Sequence, residues 1–182
     1  MTDLSLPKIA LGAWAWGNDG TFGDTLTESD LRPVFDASMD CGLTLWDNAY
    51  VYGMGASEKV MGKFLRTVPR EKYQISAKFT LQCANLQADN AVIEMYQTSA
   101  NLLGTDKMDF YWIHNPVGAP KWIKELIPLA KTGKIGKIGV SNHNLAEIKQ
   151  AQEILLAEGL TLSAVQNHYS LINRSSEASG IL

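Results

Sequence analysis

The chain has 182 residues, 46% hydrophobic and 19% charged, with a net charge of −3. This suits a single well-buried core in one domain spanning residues 1–182. The mild charge, without an arginine-rich run, argues against nucleic acid and anionic membrane as partners, and no run approaches the roughly 18 apolar residues of a membrane span. Cys41 and Cys83 lie in no metal-ligand spacing, so reduced thiols, a cytoplasmic location and no metal are expected.

The stretch Pro7 to Gly12 reads as a first strand, centred on Ile9-Ala10-Leu11. Trp14 and Trp16 follow its exit. Each is a candidate wall of a substrate pocket, with plugging of a barrel mouth as the bland alternative. Thr27 to Cys41 is a helix, opened by a capping pair of Thr27 and Asp30. Its inward stripe is Leu31, Val34, Phe35, Ser38 and Met39. Pro33 predicts a late start to regular helix, and Gly42 ends it. Leu43 to Trp46 is a second strand, which breaks into Asp47-Asn48-Ala49-Tyr50-Val51-Tyr52-Gly53. A second helix covers Ser57 to Arg66, with Val60, Met61, Phe64 and Leu65 inward and Ser57-Glu58 expected to cap its start.

Tyr73 to Phe79 is a third strand carrying Lys78 near its end. Asp89 to Leu103 is a third helix that buries Val92, Met95, Tyr96, Ser99, Leu102 and Leu103, and Gly104 stops it. Asp109 to Ile113 is a fourth strand delivering His114. Pro120 to Ala130 is a fourth helix, bent near Pro128. Ile135 to Val140 is a fifth strand delivering Ser141-Asn142. Asn144 and Glu147 cap a fifth helix to Ala157, with Ile148, Ala151 and Leu155 inward. Ser163 to Gln166 is a sixth strand, and Asn173-Arg174-Ser175 opens a sixth helix.

Strand and helix alternate at roughly 30 residues per unit, which predicts parallel strands covered by helices. A doubly wound sheet carries a Gly-rich phosphate turn after its first strand, and Gly12-Ala13-Trp14-Ala15-Trp16-Gly17 is too bulky for one. A TIM (β/α)₈ barrel instead gathers its chemistry at the C-terminal ends of successive strands. Asp47, Tyr52, Lys78, His114, Ser141, Asn142 and Gln166 all fall there. The α/β barrel is the predicted fold, with its first six βα units in this chain.

The residue types suit carbonyl reduction, which needs a proton donor for the developing alkoxide. A free tyrosine, with a pKa near ~10, is a sluggish acid at neutral pH. An adjacent ammonium eases its ionisation, and a carboxylate holds that ammonium in place. Tyr52, Lys78 and Asp47 fit those roles, and His114 can direct a substrate oxygen. Tyr50 reads as a packed or pocket-lining decoy. His143 and His168 read as structural, and Cys83, without a base in its segment, is no nucleophile.

Asp47, Ala49, Tyr52, Gly53, Ser57 and Glu58 stand in the register of a signature that resembles the aldo-keto reductase family, with Asn48 replacing the usual threonine. The resemblance extends through Ile75-Ser76-Ala77-Lys78-Phe79, Asp109 to Pro116, Gly139-Val140-Ser141-Asn142 and Val165 to Arg174. It implies a catalytic tetrad of Asp47, Tyr52, Lys78 and His114. It also implies that Ser141, Asn142 and Gln166 hold the nicotinamide carboxamide of NADP(H), and that the substrate is an aldehyde or ketone. A full barrel takes about 250 residues. The chain is therefore expected to lack strands seven and eight, where the resemblance places the cofactor's phosphate contacts. That expectation carries two consequences, self-association through exposed sheet edges and an alternative role as a non-enzymatic interaction scaffold.

Overall fold

The computed structural model describes residues 6–182. Six strands form one sheet: β1 (Leu11–Gly12), β2 (Leu45–Asp47), β3 (Gln74–Phe79), β4 (Met108–Ile113), β5 (Ile135–Ser141) and β6 (Leu162–Gln166). Every neighbouring pair is parallel, and the spatial order is the sequence order. The sheet curls as the first part of a TIM barrel. Helices α1 (Glu28–Asp40), α2 (Ala56–Leu65), α3 (Ala91–Leu103), α4 (Ala119–Lys131), α5 (Leu145–Leu156) and α6 (Ser175–Ala178) follow the strands in turn.

The helix starts show why these segments fold as they do. Thr27 and Asp30 form a reciprocal capping box on α1, and Asn144 and Glu147 do the same for α5. Asn90 caps α3 by accepting from the Ile93 N–H at 2.8 Å. Pro33 does not delay α1, which is regular from Glu28. The proline leaves one helix carbonyl without its N–H partner, and water can take that carbonyl on an exposed face. Val34 is correspondingly 51% exposed and leaves the inward stripe expected for it, while Leu31 and Phe35 are buried. Strand β1 is shorter than the Pro7–Gly12 span the sequence suggests. Its partner β2 has three residues, and only Leu11 and Gly12 find a register on it.

Strand alternation divides the core into two. Trp46, Ile75, Ala77, Phe79, Tyr111, Ile113, Ile138 and Val140 face the helices and join the main cluster with Phe35, Met61, Tyr96 and Leu126. Phe35 stacks on Trp46 at 5.1 Å between ring centroids. A fully buried side chain of this size contributes roughly 1.5–3 kcal/mol of burial free energy. The concave face carries a small apolar layer of Leu45, Phe110 and Trp112, with Ala164 against it. Above that layer the concave face becomes polar: Asp47, Ser76, Lys78, Ser141 and Gln166 occupy the inward positions toward the strand ends.

Candidate active site

The register brings the polar inward positions together. Asp47 pairs with Ser76 across β2 and β3, and Ser141 pairs with Gln166 across β5 and β6. Lys78 sits opposite Trp112 on β4. The Lys78 Nζ donates to Asp47 Oδ2 at 2.7 Å, to the Asn48 carbonyl at 3.0 Å and to the Tyr52 hydroxyl at 3.2 Å. Lys78 is completely buried, and Asp47 and Tyr52 nearly so. A charge taken out of water persists only when paired and hydrogen-bonded, and all three ammonium protons have acceptors here.

The loop that delivers Tyr52 depends on a close backbone contact. Gly53 has φ +63, and a Cβ there would lie 2.0 Å from the Gly17 carbonyl oxygen. Two glycines facing each other let the Trp14–Gly17 turn press onto the Tyr52 loop. That turn sends its two tryptophans to different places. Trp14 stacks on Tyr52, with centroids 5.6 Å apart and planes 13° from parallel, and its indole N–H donates to Asp19. It remains 44% exposed, forming an aromatic wall beside the phenol. Trp16 is buried against Trp46 and Phe64, so it is a core residue and does not wall the cluster. Tyr50 lines a separate small cleft with Cys83, Asn85 and Glu94.

His114 stands edge-on to Tyr52, 6.3 Å between ring centres. Burial, helped by the Lys78 charge and opposed by Asp47, pulls its pKa down to about 4. The ring is therefore neutral at physiological pH. The Thr80 hydroxyl lies 2.8 Å from its Nδ1, which leaves Nε2 as the ring nitrogen for a ligand.

At the β5 exit Asn142 adopts a left-handed backbone, φ +61. Its Nδ2 donates to the His114 carbonyl at 3.1 Å and the Ser141 hydroxyl at 3.2 Å. Gln166 Nε2 donates to Asp47 Oδ2 at 3.1 Å, linking the sixth strand to the second. A carboxamide needs one donor and one acceptor. The side-chain oxygens of Asn142 and Gln166 and the Ser141 hydroxyl proton make no bond within the described residues, which leaves two acceptors and one donor, a set that fits a carboxamide. His143 is buried and bonds the Ser141 carbonyl through Nδ1, and His168 bonds Asn173.

Three buried polar residues escape reading by sequence. Ser57 does not cap α2; its hydroxyl donates to the Ala13 carbonyl at 2.7 Å, tying α2 to the strand-one exit. Glu58 does not cap either. It is fully buried, and desolvation lifts its pKa to about 7 against the pull of the Ser99 hydroxyl and of the Lys78 charge. The helix instead begins at Ala56, after Gly55 as its N-cap, which puts Ser57 and Glu58 in its first turn on the inward face. Ser76 bonds Asp47 Oδ1 at 2.6 Å, and the residue type alone carried no signal of that contact.

Among the described residues no group of histidine, cysteine and acidic side chains is arranged to hold a metal, and no helix is long and apolar enough to cross a membrane. The pattern of the Aldo/keto reductase family matches residues 8–182. Aldo-keto reductase YhdN of Bacillus subtilis is 30% identical over 98% of this chain and 54% of its own length. Methylglyoxal reductase YeaE of Escherichia coli is 29% identical over 84% of this chain and 51% of its own. An aldo-keto reductase from Klebsiella pneumoniae, solved in complex with NADPH, superimposes with a TM-score of 0.75 and 26% identity over 94% of this chain and 57% of that one. The chain thus spans about half the length of the relatives it matches. With the family's pattern running through nearly every residue and its barrel strands in order, this chain belongs to the aldo/keto reductase family.

Proposed function

We propose that this chain carries the catalytic cluster of an NADPH-dependent reductase of aldehydes or ketones. The observation that carries the reading is the buried contact of Lys78 Nζ with both Asp47 Oδ2 and the Tyr52 hydroxyl. NADPH, when bound, supplies the hydride. The protein's own residues do the rest. Tyr52 donates its hydroxyl proton to the carbonyl oxygen as charge builds there. Lys78 stabilises the phenolate left behind, and Asp47 keeps the ammonium charged and in line. Neutral His114 donates from Nε2 to the same oxygen and sets its direction. Ser141, Asn142 and Gln166 hold the nicotinamide carboxamide. Trp14, exposed and stacked on Tyr52, walls the substrate side.

A cytoplasmic setting belongs to this reading, supported by two unpaired cysteines. The name of the Escherichia coli relative makes methylglyoxal a suitable first substrate. The test is loss of NADPH absorbance with methylglyoxal as acceptor, using NADH as the comparison. Turnover that prefers NADPH supports the proposal; none with any of a panel of aldehydes and ketones, at NADPH concentrations that titration shows to saturate the site, would overturn it.

A further inference from the structure

Asp47 is held from a side that the acid–base cluster does not explain. Its Oδ2 takes Lys78 and Gln166, but its Oδ1 takes the Ser76 hydroxyl at 2.6 Å. That hydroxyl in turn lies 2.6 Å from Trp112 Nε1. The direction of this chain is forced by chemistry. An indole N–H can only donate, and a carboxylate can only accept. Ser76 must accept from Trp112 and pass its own proton toward Asp47.

The three groups are buried, with Ser76 2%, Trp112 7% and Asp47 8% exposed, so water does not compete for these bonds. The indole is seated by its neighbour: a Cβ at Gly139 would meet Trp112 Cε3 at 2.1 Å, and Phe110 stacks on the ring at 5.7 Å. A ring fixed by packing gives the relay a fixed origin. We infer that Ser76 and Trp112 are positioning residues that lock the Asp47 carboxylate with Oδ2 toward Lys78, through the donor chain Trp112 Nε1–H to Ser76 Oγ–H to Asp47 Oδ1. Donation into Oδ1 also draws charge from the carboxylate, so Lys78 is held in place without being fully neutralised.

This inference rests on the reductase reading, and its experiment has two arms that fail separately. In the first, Ser76→Ala, Ser76→Thr and Trp112→Phe are assayed with NADPH and methylglyoxal. A hydrogen bond to a charged group predicts about a 10- to 100-fold loss of kcat for Ser76→Ala. The KM for NADPH should change less than kcat, because Ser76 bonds Asp47 and none of Ser141, Asn142 and Gln166. Ser76→Thr, which keeps the hydroxyl, should restore most of the rate. Trp112→Phe should lose less than Ser76→Ala, since the serine still reaches Asp47. The second arm needs no turnover. The indole N–H resonance of Trp112, assigned by its loss in Trp112→Phe, is followed by nitrogen-labelled NMR. Asp47→Asn should move it upfield in the wild-type background and leave it in place when Ser76→Ala is also present. Wild-type kcat in Ser76→Ala would overturn the inference, as would an indole resonance indifferent to Asp47→Asn. If the wild-type protein reduces no carbonyl, the reductase reading fails and the NMR arm alone decides the relay.

Discussion

The Lys78 ammonium lies 3.2 Å from the Tyr52 hydroxyl and is completely buried. An ammonium in that position is placed to stabilise charge on the oxygen at the moment a proton is passed to substrate, and little water screens it there. Tyr52→Phe should therefore lower kcat for carbonyl reduction by about 10²–10⁴, the usual range for loss of a general acid. Binding of NADPH should change little, since the phenol is not part of the Ser141–Asn142–Gln166 cluster. Near-normal turnover in Tyr52→Phe, measured alongside cofactor titration by tryptophan fluorescence, would move the acid role to another residue.

Asp47 and Lys78 form a buried pair at 2.7 Å. Removing the acid strands the ammonium without its counter-ion. Asp47→Ala is expected to cost about 3–5 kcal/mol of stability, with loss of activity. Urea unfolding at neutral pH measures it. A cost below 1 kcal/mol would mean that the pair is solvated as a surface pair would be.

Glu58 makes stability depend on pH in an unusual direction. Its pKa is near 4.5 as a free side chain and about 7 in the fold, raised by burial. The folded state therefore holds the proton more tightly than the unfolded state. Its contribution is intact below about 4.5 and is lost as pH rises through about 7. Glu58→Gln removes that dependence. Relative to the wild type, the variant should gain up to roughly 3 kcal/mol as pH is raised across this window. Urea midpoints at the acid and alkaline ends of the window test it, and a difference that stays constant with pH would refute the assignment.

For the 182-residue chain, weak binding of NADPH is expected. Ser141, Asn142 and Gln166 are suited to the uncharged nicotinamide end, and the cluster's cation, Lys78, is already paired with Asp47. Among the described residues β1 and β6 are paired on one side only, and Leu171 and Ile172 are 94% and 99% exposed. Unpaired edges and bare apolar side chains favour self-association. Sedimentation and cofactor titration on one sample check both statements. A stable monomer that binds NADPH at micromolar concentration or tighter would defeat them.

Much of this architecture was determined by the sequence alone. Alternating strand and helix signals, polar residues at each strand exit and capping residues such as Thr27 and Asn144 act locally or with a fixed period. Their consequences can be counted along the chain: Asp47, Lys78, Ser141 and Gln166 face one way because a strand's side chains alternate. Tertiary structure decided the rest. Trp14 and Trp16 are the same residue type two positions apart, yet one stacks on Tyr52 in partial contact with water and the other is sealed between Trp46 and Phe64. Ser57 and Glu58 look like capping residues, but the helix begins earlier and turns both inward. Ser76 reaches Asp47 and Trp112 across 29 and 36 residues of chain. Such contacts depend on strand register and on which ring fills the space over a glycine, and no local property of a serine or a tryptophan encodes either one.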